Sequence, residues 1–405
     1  MEVWQKNFLA ILNSAVHHLP VRLEEPADYG KILEIAREQN LLALVCEKLC
    51  ECESFFRDPV YGEAVRETVG AVACQAGKTE LFLDLYKKFE EAGICPIVVK
   101  GIVCRELYGK FRDHRPSGDE DLLIRKEDFS SIRAVMESKG FIMERRDVTA
   151  QELRALQEIT FEDGQGELHI EVHTNPMGQE TGIRRQMNRY FTEVFQKKIS
   201  VQIENTEIWT MEPTDHLLFL ILHAFKHFMA GGLGIRQALD ICLFCKRYHE
   251  EINWEYISDS LENVEGEKFF TDMLYIGNKY LGFELKIHRE RNCPDDLLED
   301  MLTGGVFGNT TQTERTACSM TFAAVDSREK YSTASAVVRA IFPTMRFMRE
   351  RNPELVEKPW LLPIFWMKRW RRFIRYNKEN GGGLARESIR TSQKRIELLK
   401  KYGLI

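Results

Sequence analysis

Asp119 and Asp121 stand two residues apart in Ser117-Gly118-Asp119-Glu120-Asp121-Leu122-Leu123-Ile124, a turn followed by an apolar run. If residues 119–124 form a strand, alternation points both carboxylates to one face, about 7 Å apart along the chain. Like charges held that close repel unless a cation lies between them. A divalent ion such as Mg2+ meets the need, because it takes carboxylate and phosphate oxygens together. A second acidic segment, Glu167-Leu168-His169-Ile170-Glu171-Val172-His173, follows downstream. There Leu168, Ile170 and Val172 share one face, and Glu167, His169, Glu171 and His173 share the other. Glu171, central in this arm, is the candidate third acid if the two segments are neighbours. Three carboxylates and two Mg2+ ions suit nucleotidyl transfer: one ion activates the attacking hydroxyl, and the other binds the triphosphate and its departing pyrophosphate. Glu171 could also accept the acceptor's proton. The plainer alternative is a solvated acidic strand edge.

The elements that must position these residues are legible in outline. Residues 1–75 carry apolar positions at helical spacing, such as Phe8, Leu9, Leu12 and Val16, then Leu33, Leu41 and Val45. A further helix through Leu81, Leu85 and Phe89 stops at Gly93. A β-branched run at 96–99 predicts a first strand, 102–108 a helix, and 119–124 a second strand. A helix through Phe129, Ile132 and Met136 ends at Gly140, and a short strand covers 141–143. After a polar helical stretch come two hairpins: 159–161 with 168–173 around Asp163-Gly164-Gln165-Gly166, and 199–203 with 207–210 through Asn205. From Thr214, read as an N-cap, the chain is helical again. Gly381-Gly382-Gly383 precedes a last polar helix with Ile389, Ile396 and Leu399. The expected fold is α+β: a helical region over 1–75, a small mixed-sheet core over 76–212, and a helical region over 213–405.

Bulk properties narrow the function. The 405 residues are 44% hydrophobic and 29% charged, with a net charge of -6, so a nucleic-acid partner held by an overall basic surface is not expected. The 10 cysteines are irregularly spaced, and a lone Cys242-x-x-Cys245 has no matching pair, so they read as reduced thiols. The first residues lack a basic segment and carry Glu2, unlike a signal peptide. No stretch reaches the roughly 18 apolar residues of a membrane helix. The chain is read as cytoplasmic.

Lesser signals remain. Arg105, Lys110, Arg112 and Arg115 flank the acidic motif, and Arg115, the nearest, is a candidate phosphate ligand. Arg236 and Asp240, four apart, read as a surface ion pair. His216, His223 and His227 share a helical face, yet His-Ala-Phe-Lys-His is not a zinc-protease motif. Residues 358–378 mix Trp360, Phe365, Trp366 and Trp370 with basic residues. They read as a closing helix, or as a segment for peripheral membrane contact.

Val98-Val99-Lys100-Gly101, then Leu107-Tyr108, then Arg115-Pro116-Ser117-Gly118-Asp119-Glu120-Asp121, then Ile170-Glu171-Val172-His173, together resemble the uncharacterised nucleotidyltransferase family of the DNA polymerase beta-like superfamily. A later helix with His223 and His227, followed by Asp240-Ile241, extends the likeness. The resemblance implies that Asp119, Asp121 and Glu171 are catalytic metal ligands and that Lys100, Gly101, Ser117 and Gly118 line the nucleotide. It also makes His173, His223, Lys226 and His227 candidate contacts to nucleotide or acceptor. It implies two Mg2+ ions, with Mn2+ a substitute, and a nucleoside triphosphate, ATP by default, whose nucleoside monophosphate moves to a hydroxyl-type acceptor. Two departures stand out: Glu120 fills a slot that is apolar in the family, and Glu171 replaces an aspartate. They leave open an alternative, a catalytically weak nucleotide-sensing or partner-binding protein on the same fold.

Overall fold

The computed structural model describes residues 1–144, 158–178, 182–286, 294–304, 342–345, 348–349, 352, 354–379 and 384–405. The polar stretch 145–157 and Gly381-Gly382-Gly383 lie outside the described residues. The architecture is α+β, with one seven-stranded mixed sheet and helices before and after it.

The strands are β1 Ile97–Val98, β2 Glu120–Leu123, β3 Ile142–Met143, β4 Glu158–Glu162, β5 His169–His173, β6 Ile199–Ile203 and β7 Thr206–Thr210. They lie in the order β3-β4-β5-β2-β1-β7-β6. Both expected hairpins form, β4 with β5 and β6 with β7. In the first turn Asp163 Oδ1 accepts the Glu167 and Leu168 N–H groups, and Gly166 takes φ +72. The decisive pairing is parallel: β2 lies beside β5, with Asp121 opposite Glu171 and Leu123 opposite His173. β1 is antiparallel to β2 on its other side.

Alternation along these strands feeds two cores. Val98, Leu122, Ile170 and Val172 pack with Phe82, Tyr86 and Phe89 of the helix Tyr61–Glu91 and with Ile132 and Met136 of the helix Phe129–Ser138. Ile97, Val99 and Leu123 face the opposite way. They join a larger core shared by Phe8, Ile32 and Leu44 from the N-terminal helices and by Leu217, Phe225, Leu239 and Phe269 from the helices after the sheet. Each buried Leu, Ile or Phe contributes about 1.5–3 kcal/mol.

Two local readings change. The helix expected around Leu81 begins at Tyr61 and runs unbroken through residue 75 before stopping at Ala92 and Gly93, the latter at φ +73. The helix Pro213–Ala230 is capped by Glu212 rather than Thr214: the Glu212 carboxylate accepts the Thr214 and Asp215 N–H groups, and Pro213 takes the first turn. Thr214 instead accepts the Asn253 N–H through its hydroxyl.

Candidate active site

Strand alternation and the β2–β5 register put Asp121, Glu171 and His173 on one face of the sheet. Ligand atoms from these three side chains all lie within 4.8 Å of one another. His173 Nε2 is 3.0 Å from Asp121 Oδ1 and 3.5 Å from Glu171 Oε2. Lys100, three residues beyond Ile97, brings its ammonium to 2.9 Å from Asp121 Oδ2. The Pro213–Ala230 helix covers this face. His216 Nε2 bonds the Val99 carbonyl at 2.8 Å, His223 Nε2 lies 3.4 Å from Lys100 Nζ, and His227 Nε2 lies 2.9 Å from His223 Nε2.

The charges are strongly coupled. Burial alone would raise the Asp121 pKa, but Lys100 and His173 outweigh it and hold the carboxyl well below its ordinary range. Burial would also lower the pKa of Lys100, yet Asp121, Asp119 and Glu171 keep it raised. For His173 the same opposition ends at about 9, since its hydrogen bonds to Asp121 and Glu171 overcome burial. Its Nε2 lies between the two carboxylates, whose charges favour the protonated ring. His223 and His227 fall the other way: burial, then the nearby Lys100 and Lys226 charges, push both well below the usual histidine value.

Two carboxylates and an imidazole fit a divalent cation, because carboxylates suit hard ions such as Mg2+ and Mn2+ and imidazole is a common ligand of transition metals. A cation shared by these three groups requires His173 to be neutral, so its binding releases a proton.

The expected residues fall into three groups. Asp121 and Glu171 come together, and His173 joins them as a potential ligand; its alternation with Glu171 was the signal for that. Asp119 stands one residue before β2, half-buried, and is not among the three converging side chains. It still acts on Lys100 through its charge. Lys100, His223 and His227 lie next to one another beside Asp121, and Lys226 is buried on the same helix as the two histidines.

The turn before β2 is built differently from expectation. Arg115 is buried and fastened to Asp240 by a bidentate pair, Nε to Oδ1 at 2.8 Å and Nη2 to Oδ2 at 2.6 Å. Tyr108 donates its hydroxyl to the same Asp240 Oδ1 at 2.7 Å. Arg236 does not pair with Asp240 at the surface: both are buried, and Arg236 donates to the Pro116 carbonyl at 2.8 Å. Ser117 gives its N–H to Gln75 and its hydroxyl to the Asp119 carbonyl. Gly118 is exposed, and a Cβ there would meet nothing within 4 Å. Sequence reasoning missed Tyr108, Gln75 and Asp240 as supports, along with Glu158, which pairs opposite His173 on β4.

Glu120 points away from the site. Its carboxylate accepts the Ile102 N–H at 2.7 Å and lies 3.5 Å from Arg105. The strand does begin at this residue. The three histidines do not form one metal site, because His216 is turned onto backbone, and among the described residues Asp121, Glu171 and His173 are the group that could hold an ion. The described cysteines are free thiols, with Cys242 and Cys245 both buried.

The sheet thus sets two carboxylates and an imidazole, a group that could hold a metal ion, beside the half-buried Lys100 and under a histidine-bearing helix. The chain belongs to the uncharacterised nucleotidyltransferase family, which matches it over residues 25–282, and it is a nucleotidyltransferase. Comparison with curated proteins and with solved structures gives no match.

Proposed function

We propose that the protein moves a nucleoside monophosphate from a nucleoside triphosphate, ATP by default, to a hydroxyl-type acceptor, releasing pyrophosphate with the help of Mg2+ or Mn2+. The observation that carries this reading is the side-by-side placement of Asp121 and Glu171 on adjacent parallel strands, 2.9 Å from Lys100 in the case of Asp121. Asp121, Glu171 and His173 would hold the ion, with Asp119 at the mouth of the strand as the fourth donor. Divalent ions there would supply Lewis-acid charge for the triphosphate and lower the pKa of the attacking hydroxyl.

The chain's own residues then have defined tasks. Lys100, half-buried beside the carboxylates, carries a charge that can pass from Asp121 to a phosphate oxygen. Glu171, half-buried and nearer solvent than Asp121, is the group best placed to take the acceptor's proton. The exposed Gly118 leaves room for a triphosphate to approach the backbone of the turn. Neutral His223 and His227 offer hydrogen bonds without adding charge.

Pyrophosphate release with each of the four ribonucleoside triphosphates, in Mg2+ or Mn2+, tests the reading against Asp121→Asn. Turnover by the native chain, reduced at least a thousandfold in the variant, is the expected result. Nucleotide binding without turnover would leave a nucleotide-sensing protein, the reading favoured by the closed Lys100–Asp121 pair.

A further inference from the structure

The segment 358–378 carries seven basic residues and no acidic one, in a chain whose net charge is -6. It contains a turn at Pro359–Leu361 and most of the 18-residue helix Leu362–Glu379. The aromatic residues that drew attention in the sequence are largely turned inward. Phe365 is buried against Met348 and Leu355. Trp366 donates its indole N–H to the Pro343 carbonyl, and Phe342 packs edge-on against both Trp366 and Trp370.

A different set faces out. Trp360 is 70% exposed, Ile364 43%, Met367 47% and Ile374 64%. At 3.6 residues per turn, Ile364, Met367 and Ile374 fall on one strip of the helix. Lys368, Arg371, Arg372, Arg375 and Lys378 are also exposed and occupy the same outward half, Arg371 and Lys378 within that strip and the other three along one side of it. Apolar side chains that large, left in water next to a block of positive charge, match a surface that is apolar inside and anionic at its edge. With so many charges the helix can lie in such a surface but not cross it, and among the described residues no helix is long and apolar enough to span a membrane.

We propose that the helix Leu362–Glu379 docks the enzyme on an anionic lipid surface, with Trp360, Ile364, Met367 and Ile374 entering the headgroup boundary and the arginines and lysines meeting lipid phosphates and carboxylates. A single-stranded nucleic acid would use the charges too. It would need a run of stacking platforms, however, and beside Trp360 the other exposed apolar residues, Ile364, Met367 and Ile374, are aliphatic and offer none. The bilayer uses both halves of the pattern. The inference is independent of the catalytic site, since none of these residues belongs to it.

The test is sedimentation of the full chain with vesicles of phosphatidylcholine alone, or with about 30% phosphatidylserine, at about 0.1 M and 0.5 M salt. One variant carries Arg371→Glu, Arg372→Glu and Arg375→Glu. A second carries Trp360→Ser, Ile364→Ser, Met367→Ser and Ile374→Ser. All these side chains are exposed, so each variant should keep the native melting temperature, read in parallel. The expected result is binding to the anionic vesicles only, weakened by salt, about a hundredfold weaker in the first variant and at least tenfold weaker in the second. Failure to bind anionic vesicles, or full binding by the serine variant, overturns the proposal. So does preference for single-stranded RNA over the vesicles in direct competition.

Discussion

The Glu120 carboxylate occupies the space that a Cβ at Gly101 would need: a Cβ built there falls 1.9 Å from Glu120 Oε2. Gly101 also adopts φ +53, a conformation unfavourable for other residues. The glycine of Lys100-Gly101 is thus required by the strand residue beside it, which reaches through the gap to accept the Ile102 N–H. Gly101→Ala should cost roughly 3 kcal/mol, from backbone strain plus a displaced buried carboxylate. Urea unfolding checks the value. Combining it with Glu120→Ala should cost less than the sum of the two, because the truncation removes the carboxylate that the new Cβ collides with. Strict additivity would mean that the two residues do not meet.

Arg115 and Asp240, 125 positions apart, lock the turn that leads into Asp119. Asp240→Asn leaves a buried guanidinium short of its charge partner and should destabilise the fold by about 3–5 kcal/mol. Replacing both, Arg115→Met with Asp240→Leu, should recover much of that stability. Nucleotide turnover should stay low in the double variant, because the Arg115 anchor on the turn has gone. Urea unfolding and pyrophosphate release, run on the same preparations, separate the two effects. Full activity in the stable double variant would show that the pair serves stability alone.

The strands and hairpins were readable in the sequence because their signals are local: alternation in β5, the Asp163–Gly166 turn, and glycine stops at 93 and 140. The shared face of Glu171 and His173 followed from the same alternation. What joined them to Asp121 was the parallel β2–β5 pairing, a contact between distant segments that no local pattern specifies. The partners of Glu120 were hidden for the same reason, since Ile102 and Arg105 lie on another element. The start of the Tyr61–Glu91 helix was obscured by its first half, where few apolar residues mark a buried face. Asp119 keeps the i, i+2 spacing to Asp121 but stands one residue before the strand, so alternation alone does not set its direction.

Lys100 and a divalent ion compete for Asp121, since the ammonium already lies 2.9 Å from Oδ2. Lys100→Met should therefore tighten Mn2+ binding by roughly tenfold, equivalent to about 1.4 kcal/mol. Turnover should fall nonetheless, because a phosphate oxygen loses its cationic partner. Titration calorimetry with Mn2+ alone reads the first effect without any reaction. Weaker Mn2+ binding in this variant would show that the lysine helps to assemble the ion site instead of contesting it.

His216 gives the fold a defined acid sensitivity. It is 1% exposed, and burial lowers its pKa to about 4, with only the Val99 carbonyl opposing that shift. In the unfolded chain it returns to about 6.5, so unfolding takes up a proton between those values. The stability that the neutral imidazole provides is complete above pH 6.5 and is lost as pH falls through 4. That contribution is on the order of 3 kcal/mol. His216→Gln has no group to titrate, so its urea midpoint should decline less steeply than the native one between pH 6.5 and 4, even if it starts lower at pH 7 for want of the imidazole's packing. Carboxylates elsewhere titrate in both proteins and cancel in the difference. Parallel curves across that window would mean that His216 binds its proton without penalty in the fold, and that the helix over the site is more open to water than its packing against Val99 implies.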